Sequence, residues 1–331
     1  MKPHQAGNPV DAYALWYVSC GRAELRPAAL PPLGPGDARV RTRWTGLSRG
    51  TERLVFNDLI PSAERARMRA PMQEGDFPYP VKYGYCAVGV VEAGPDDLIG
   101  RTVFALHPHQ DRFVAPADRL IIVPDPVPPR RAVLAANLET ALNAVWDAGA
   151  GPGDSIVVVG AGVVGLLVTA LAAALPGAEV TVVDIDPARR AVAERLGASF
   201  RMPPDAPGGA DMVFHTSATA AGLAGALACA GDEATVCELS WYGDAIVTAP
   251  LGQAFHSRRL KLVSSQVGQV APSHRPRWSH RRRLEKALDL LADERLDALI
   301  TEEVAFPDLP ANLPRLLAPG APGLAAAIRY D

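Results

Sequence analysis

The chain of 331 residues is poor in cysteine, in aromatic side chains and in net charge. Cys20, Cys86, Cys229 and Cys237 lie far apart and form no C-x-x-C pair, which excludes a disulfide scaffold and a zinc ribbon. Cys229 and Cys237 read instead as small buried hydrophobes. The formal net charge is −3, so nothing directs the chain to nucleic acid or to a membrane surface. No run of about 18 uninterrupted apolar residues is present, and the most apolar stretch, Leu166–Leu175, is too short to span a bilayer. The opening segment MKPHQAGNPV carries no apolar signal, and a cytoplasmic protein is expected. The length suits about two domains.

What is present begins with Ser155–Asp186, SIVVVGAGVVGLLVTALAAALPGAEVTVVDID. The apolar run Ile156–Val159 is short enough for a buried parallel strand, and it stops at Gly160, Gly162 and Gly165, spaced G-x-G-x-x-G. The first glycine permits the tight strand-to-helix turn, the second lets backbone approach a pyrophosphate, and the third lets the helix pack close to the strand. Phosphate oxygens would meet the amides of Val163 and Val164, at the start of helix Val163–Leu175. Glycines also punctuate ordinary turns, so context decides. Pro176-Gly177 ends the helix, Val180–Val183 forms a second strand, and Asp184 follows about 20 residues after the last glycine, where an acid bonds ribose hydroxyls. A carboxylate at Asp184 repels a 2′-phosphate, so NAD is expected over NADP. Arg189 and Arg190 stand against this: Arg189 is a candidate cofactor contact, although a solvated first helical turn explains both.

The first third reads as β structure. Residues 13–24 alternate through a first strand, Pro27–Gly36 is a turn, and 38–45 alternate as a half-exposed antiparallel strand. Thr45–Arg53 is a polar, glycine-containing loop, 61–76 a short surface helix and loop, and strands follow over 82–92, 101–106, 112–114 and 119–123. From about Ala135 strands and helices alternate: after the first two strands come Ser199–Met202, Asp211–His215, Ala234–Leu239 and Leu260–Ser264. This predicts an α/β protein with a doubly wound, six-stranded parallel sheet. The remaining elements are too many for that sheet, so the C-terminus is expected to return to the first domain. The basic run His274–Arg283 reads as a solvated entry to helix Arg281–Ala292.

In this order of elements the chain resembles the medium-chain dehydrogenase/reductase superfamily, the alcohol-dehydrogenase-like enzymes. The resemblance implies a GroES-like catalytic domain over 1–135 and 271–331 and a Rossmann domain over 136–270. It implies NAD(P)-dependent hydride transfer in the cleft between them, and a homodimer through the edge strand near Leu260–Ser265. It places Arg49 on the pyrophosphate and Thr140 on the nicotinamide, with the backbone around Ser240 and Ser265 holding the carboxamide. Ser48–Arg53 and Tyr83-Gly84-Tyr85 are locally similar to a branch that includes the bacteriochlorophyllide hydroxyethyl dehydrogenases.

The chain departs from the zinc-dependent members of that superfamily. Ser48 stands where they carry a cysteine, and Tyr85 and Cys86 where they carry histidine and glutamate. Only Glu139 could bind a metal near the third position, and the four-cysteine lobe is missing. Such a set makes no tetrahedral N/S site, so no zinc is expected. Hydride transfer from an alcohol then needs a side chain to handle the hydroxyl proton. Tyr85 is the preferred relay, with Ser48, Glu139 and His109 as further candidates and Glu139 or a histidine as its orienting partner. A core tyrosine, a helix salt bridge and a surface histidine are the plain explanations of Tyr85, Glu139 and His109. The expected function is a zinc-independent, NAD-preferring oxidoreductase of an alcohol/carbonyl pair acting on a small molecule. A quinone or enone reductase and a catalytically silent NAD-binding protein are the alternatives.

Overall fold

A computed structural model describes residues 12–331; the opening segment MKPHQAGNPV lies outside the described residues. The described chain divides into two compact units, one of residues up to 123 with 303–321 and 326–331, the other of 124–302 with 322–325.

The first unit opens with an antiparallel hairpin, β1 (Ala12–Ser19) and β2 (Arg22–Ala28). The single strand expected over 13–24 is thus two, because Gly21 adopts a left-handed φ of +70° and reverses the chain. β3 (Asp37–Leu47) is long, with alternate residues buried, and it runs directly into helix α1 (Arg49–Phe56). The sequence suggested a loop here because Gly46 and Gly50 interrupt both periodicities. Burial of Glu52, Leu54, Val55 and Phe56 on one face restores the helix. The short strands β4 (Glu74–Gly75) and β5 (Val81–Lys82) extend the hairpin sheet in the order β2-β1-β5-β4. β6 (Ala87–Ala93), β7 (Thr102–Ala105), β8 (Arg112–Pro116) and β9 (Ile121–Ile122) build the second sheet around β3. Val40, Val91, Val103 and Phe113 lie in its core.

The second unit contains helices α2 (Pro129–Ala132) and α3 (Ala135–Ala148) and a six-stranded parallel sheet. β10 (Ser155–Val159), α4 (Val163–Ala173), β11 (Glu179–Val183), α5 (Arg190–Arg195) and β12 (Ser199–Arg201) form one half. β13 (Ala210–His215), α6 (Ala220–Cys229), β14 (Ala230–Glu238) and β15 (Lys261–Ser264) form the other. The spatial order β12-β11-β10-β13-β14-β15 reverses direction at β10, which sets a topological switch point at the ends of β10 and β13. Leu166, Val157, Val213 and Val236 are fully buried, as strands and a helix covered on both faces require.

Helix α7 (His280–Leu290) packs on α3 in this second unit. The junctions therefore fall at 123/124 and 302/303 rather than near 135 and 271. The physical reason is Arg283, whose guanidinium binds Glu139 and Asn143 of α3. β16 (Ile300–Ala305), α8 (Leu309–Leu316) and β17 (Ala325–Arg329) complete the chain. β17 pairs antiparallel with β3, so the C-terminus returns to the first sheet.

Candidate dinucleotide and proton-handling sites

Each part of the glycine loop has a measurable reason. A Cβ on Gly165 would lie 1.9 Å from the Gly160 carbonyl oxygen, so only glycine lets α4 approach β10 this closely. Gly160 has φ +107°, and a Cβ there would lie 2.8 Å from the Ser217 amide nitrogen. Gly162, the N-cap residue of α4, faces open space. The first-turn amides of Val163 and Val164 have no intrahelical carbonyl to pair with, and the helix dipole adds its positive end. Asp184, just past β11, accepts the Ala161 amide at 2.6 Å and the Asp186 amide at 2.8 Å. Each carboxylate oxygen keeps a further lone pair for a ribose hydroxyl. These residues fit a dinucleotide: a glycine loop that admits a pyrophosphate and an anchored acid beside it.

The basic residues downstream are already engaged. Arg189 pairs with Asp186 at 3.1 Å, and Arg190 pairs with Glu194 and lies over the Phe200 ring. Thr140 donates its hydroxyl to the Ala136 carbonyl one turn back. Ser265 donates to Asp147 and closes the end of β15.

Ser240 belongs to a cluster that sequence reasoning missed. His215, fully buried at the end of β13, has Nδ1 2.7 Å from Glu238 Oε2 and Nε2 2.7 Å from Ser217 Oγ. The Ser240 amide donates to Glu238 Oε1 at 2.7 Å, and the Tyr242 hydroxyl donates to Oε2 at 2.9 Å. Burial pushes the Glu238 carboxyl up, but the bonds from His215 and Ser240 outweigh it and hold the group below its ordinary value. Tyr242 is raised by burial and by Glu238. No sequence motif announces this set, because its members come from the ends of two parallel strands.

In the first unit, Ser48 holds the N-cap position of α1 without a side-chain cap bond, and Glu52 reaches back to the Ser48 amide at 2.7 Å. The other Glu52 oxygen accepts the Tyr17 hydroxyl at 2.6 Å and lies 3.0 Å from His109 Nε2. His109 Nδ1 meets Thr45 Oγ1 at 2.6 Å, so His109 is buried in a network rather than placed in a surface loop. Tyr85 donates to Ser48 Oγ at 2.5 Å. Within the first unit its hydrogen-bond acceptor is Ser48. Burial, then the neighbouring Cys86, raises the Tyr85 phenol well above its ordinary value and keeps it protonated. Arg49 donates to the Ala321 carbonyl at 2.7 Å.

Glu139 sits in the second unit on Arg283, with Nε 3.0 Å from Oε1. Arg283 is 1% exposed, which removes it from the solvated face expected for the basic run. Burial raises the Glu139 carboxyl against the pull of Arg283. The residues at the zinc-ligand positions do not fit the metal. Ser48 and Tyr85 bond each other, and neither offers the nitrogen or sulfur donor of a tetrahedral zinc site. Among the described residues no three His, Cys, Asp or Glu side chains are grouped to hold a metal ion.

No family model matches the chain. Over 309 residues it is 26% identical to D-guloside 3-dehydrogenase of Escherichia coli (strain K12), an alignment covering 83% of this chain and 87% of that protein. A protein of Sinorhizobium meliloti 1021 assigned as a zinc-binding dehydrogenase, bound to NADP, is similar in fold. Its TM-score is 0.77 at 19% identity, covering 96% of this chain and 99% of that one. An alcohol dehydrogenase of E. coli CFT073 complexed with NADH gives 0.76 at 14% identity over 96% of this chain and 99% of its own. The relatives are named as dehydrogenases and reductases and the structural neighbours share the fold, in agreement with the resemblance to the medium-chain dehydrogenase/reductase superfamily.

Proposed function

We propose that this protein is an NAD-preferring, zinc-independent oxidoreductase that interconverts an alcohol and a carbonyl on a small molecule. The coarser reading, an NAD(P)-dependent oxidoreductase of the medium-chain type acting on an alcohol, is supported by the sugar and alcohol dehydrogenases among its relatives. The finer reading is carried by Asp184. Its carboxylate is fixed by two backbone amides beside the open face of Gly162, while Arg189 and Arg190, the cations nearest in sequence, are paired with acids. A 2′-phosphate would meet a negative charge there, and a ribose diol would meet an acceptor. Independence from zinc is supported by the donor set: a serine and a tyrosine, bonded to each other, stand at two of the ligand positions, and neither is a nitrogen or sulfur donor.

When bound, the nicotinamide supplies the hydride acceptor. The paired hydroxyls of Tyr85 and Ser48 are proposed to contact the substrate and position it, the phenol staying protonated and exchanging no proton with it. A homodimer through β15 is proposed with this reading, since β15 is the edge of its sheet and Leu262 is 39% exposed on it. So is a cytoplasmic location. No helix among the described residues is long and apolar enough to cross a membrane.

The test is a titration with NADH and, separately, NADPH, followed by quenching of tryptophan fluorescence, then a panel of secondary alcohols before and after chelation. Tighter NADH binding, turnover of an alcohol that chelation leaves intact, and a lower kcat in Tyr85→Phe are expected. Tighter NADPH binding, or turnover of quinones alone, would overturn the reading.

A further inference from the structure

Glu238, ionised below its ordinary value, can only accept hydrogen bonds, so His215 Nδ1 must carry the proton between them. In the neutral ring His215 Nε2 is then a bare lone pair, into which the Ser217 hydroxyl 2.7 Å away donates. This is the serine, histidine and acid arrangement that makes a hydroxyl able to exchange a proton. The surroundings are built to hold it. Gly222 of α6 leaves the space the serine occupies, since a Cβ there would lie 2.0 Å from Ser217 Oγ and 2.7 Å from His215 Nε2. Ala218, next in the chain, takes a left-handed φ of +52°, and its amide is tied to Ser240 Oγ at 3.1 Å. Thr216 donates to the Gly160 carbonyl at 2.8 Å, which locks the segment against the glycine loop. His215 is buried, Ser217 is half-buried, and the set lies at the C-terminal ends of β13 and β14, where open parallel sheets bind their ligands.

We propose that Ser217, backed by His215 and Glu238, is the group that takes the hydroxyl proton of the substrate alcohol. This rests on the oxidoreductase reading above and names the proton acceptor that reading needs without a metal. The alcohol O–H proton passes to Ser217 Oγ while the proton of Ser217 passes to His215 Nε2; the carbinol hydrogen would leave with its bonding pair as a hydride, for which an oxidised nicotinamide, when bound, would be the acceptor, and the C=O bond would form. Glu238 stays ionised and holds the imidazolium. No bond from Ser217 to carbon is made. In the reverse direction His215 returns its proton through Ser217 to the carbonyl oxygen. The titratable groups that bond the imidazole are Glu238 and Tyr242; Val159 of β10 lies beside His215 in register, and Gly222 of α6 leaves room at Nε2.

The experiment has two arms. In the first, the protein is labelled with ¹⁵N-histidine and the His215 signals are assigned by their loss in His215→Gln. A ring protonated on Nδ1 alone is expected; an Nε2-protonated or doubly protonated ring would overturn the relay, since neither offers a lone pair to Ser217. In the second, kcat for alcohol oxidation is measured across pH in the wild type and in Ser217→Ala, which removes one oxygen and keeps the fold. A fall in kcat of about 10²-fold or more is expected, with NADH quenching unchanged and a similar fall in His215→Gln. An active wild type whose kcat and pH profile survive Ser217→Ala would overturn the relay alone. A wild type that binds NADH and turns over no alcohol or carbonyl would overturn the parent reading and the relay with it.

Discussion

Asp184 Oδ2 accepts the Ala161 amide at 2.6 Å, which makes the acid at the end of β11 a structural part of the glycine loop. The same carboxylate holds the Asp186 amide. Asp184→Ala is therefore expected to lower stability by about 1.5–3 kcal/mol, the range for hydrogen bonds to a charged group. It should also weaken NADH binding about tenfold or more, equivalent to at least about 1.4 kcal/mol. Urea unfolding and fluorescence titration of the same variant measure the two effects. Full NADH affinity in Asp184→Ala would show that the ribose is held elsewhere.

Gly162 and Gly165 separate ligand binding from folding. A methyl at Gly165 would be driven into the Gly160 carbonyl, so Gly165→Ala should cost about 1–3 kcal/mol or more. A methyl at Gly162 meets nothing, and φ there is −75°. Gly162→Ala should keep the wild-type unfolding midpoint and lose NADH affinity. Equal unfolding midpoints for the two variants would contradict this packing.

Arg283 and Glu139 form a buried pair whose removal from one side leaves a charge unpaired. Arg283→Leu is expected to destabilise the protein by about 3–5 kcal/mol, read by urea denaturation. Glu139→Gln, which keeps an acceptor for Arg283, should leave kcat unchanged. A large loss of kcat in Glu139→Gln with normal stability would restore Glu139 to the chemistry.

His107 gives a pH dependence of known sign. It stacks on Phe113 with ring centroids 3.9 Å apart, and burial first, then Lys82, push its pKa down from 6.5 to about 3. Between those values the unfolded chain binds a proton that the native chain does not. Stability is thus fully present above about pH 6.5 and is lost as pH falls toward 3, by about 1.4 kcal/mol per pH unit. In His107→Phe the urea midpoint should fall less steeply between roughly pH 7 and pH 5. An identical slope in wild type and variant would show that His107 ionises freely in the native state.

The sequence by itself determined the parallel sheet, the glycine loop and Asp184, because each is a local pattern: an apolar run, a fixed spacing and a chain break. It also determined which residues stand at the zinc-ligand positions. Helix α1 was not legible, since two glycines masked a helix that burial of Leu54, Val55 and Phe56 stabilises. Tertiary structure alone decided the partners: that Tyr85 bonds Ser48, that Glu139 faces Arg283 across 144 positions, and that Glu52 joins Tyr17 to His109. The same holds for His215 and Glu238, which lie 23 positions apart in the chain and meet only because β13 and β14 pair in parallel register. Hydrogen bonds between side chains depend on distances of a few tenths of an ångström, and those are fixed only once the strands are packed.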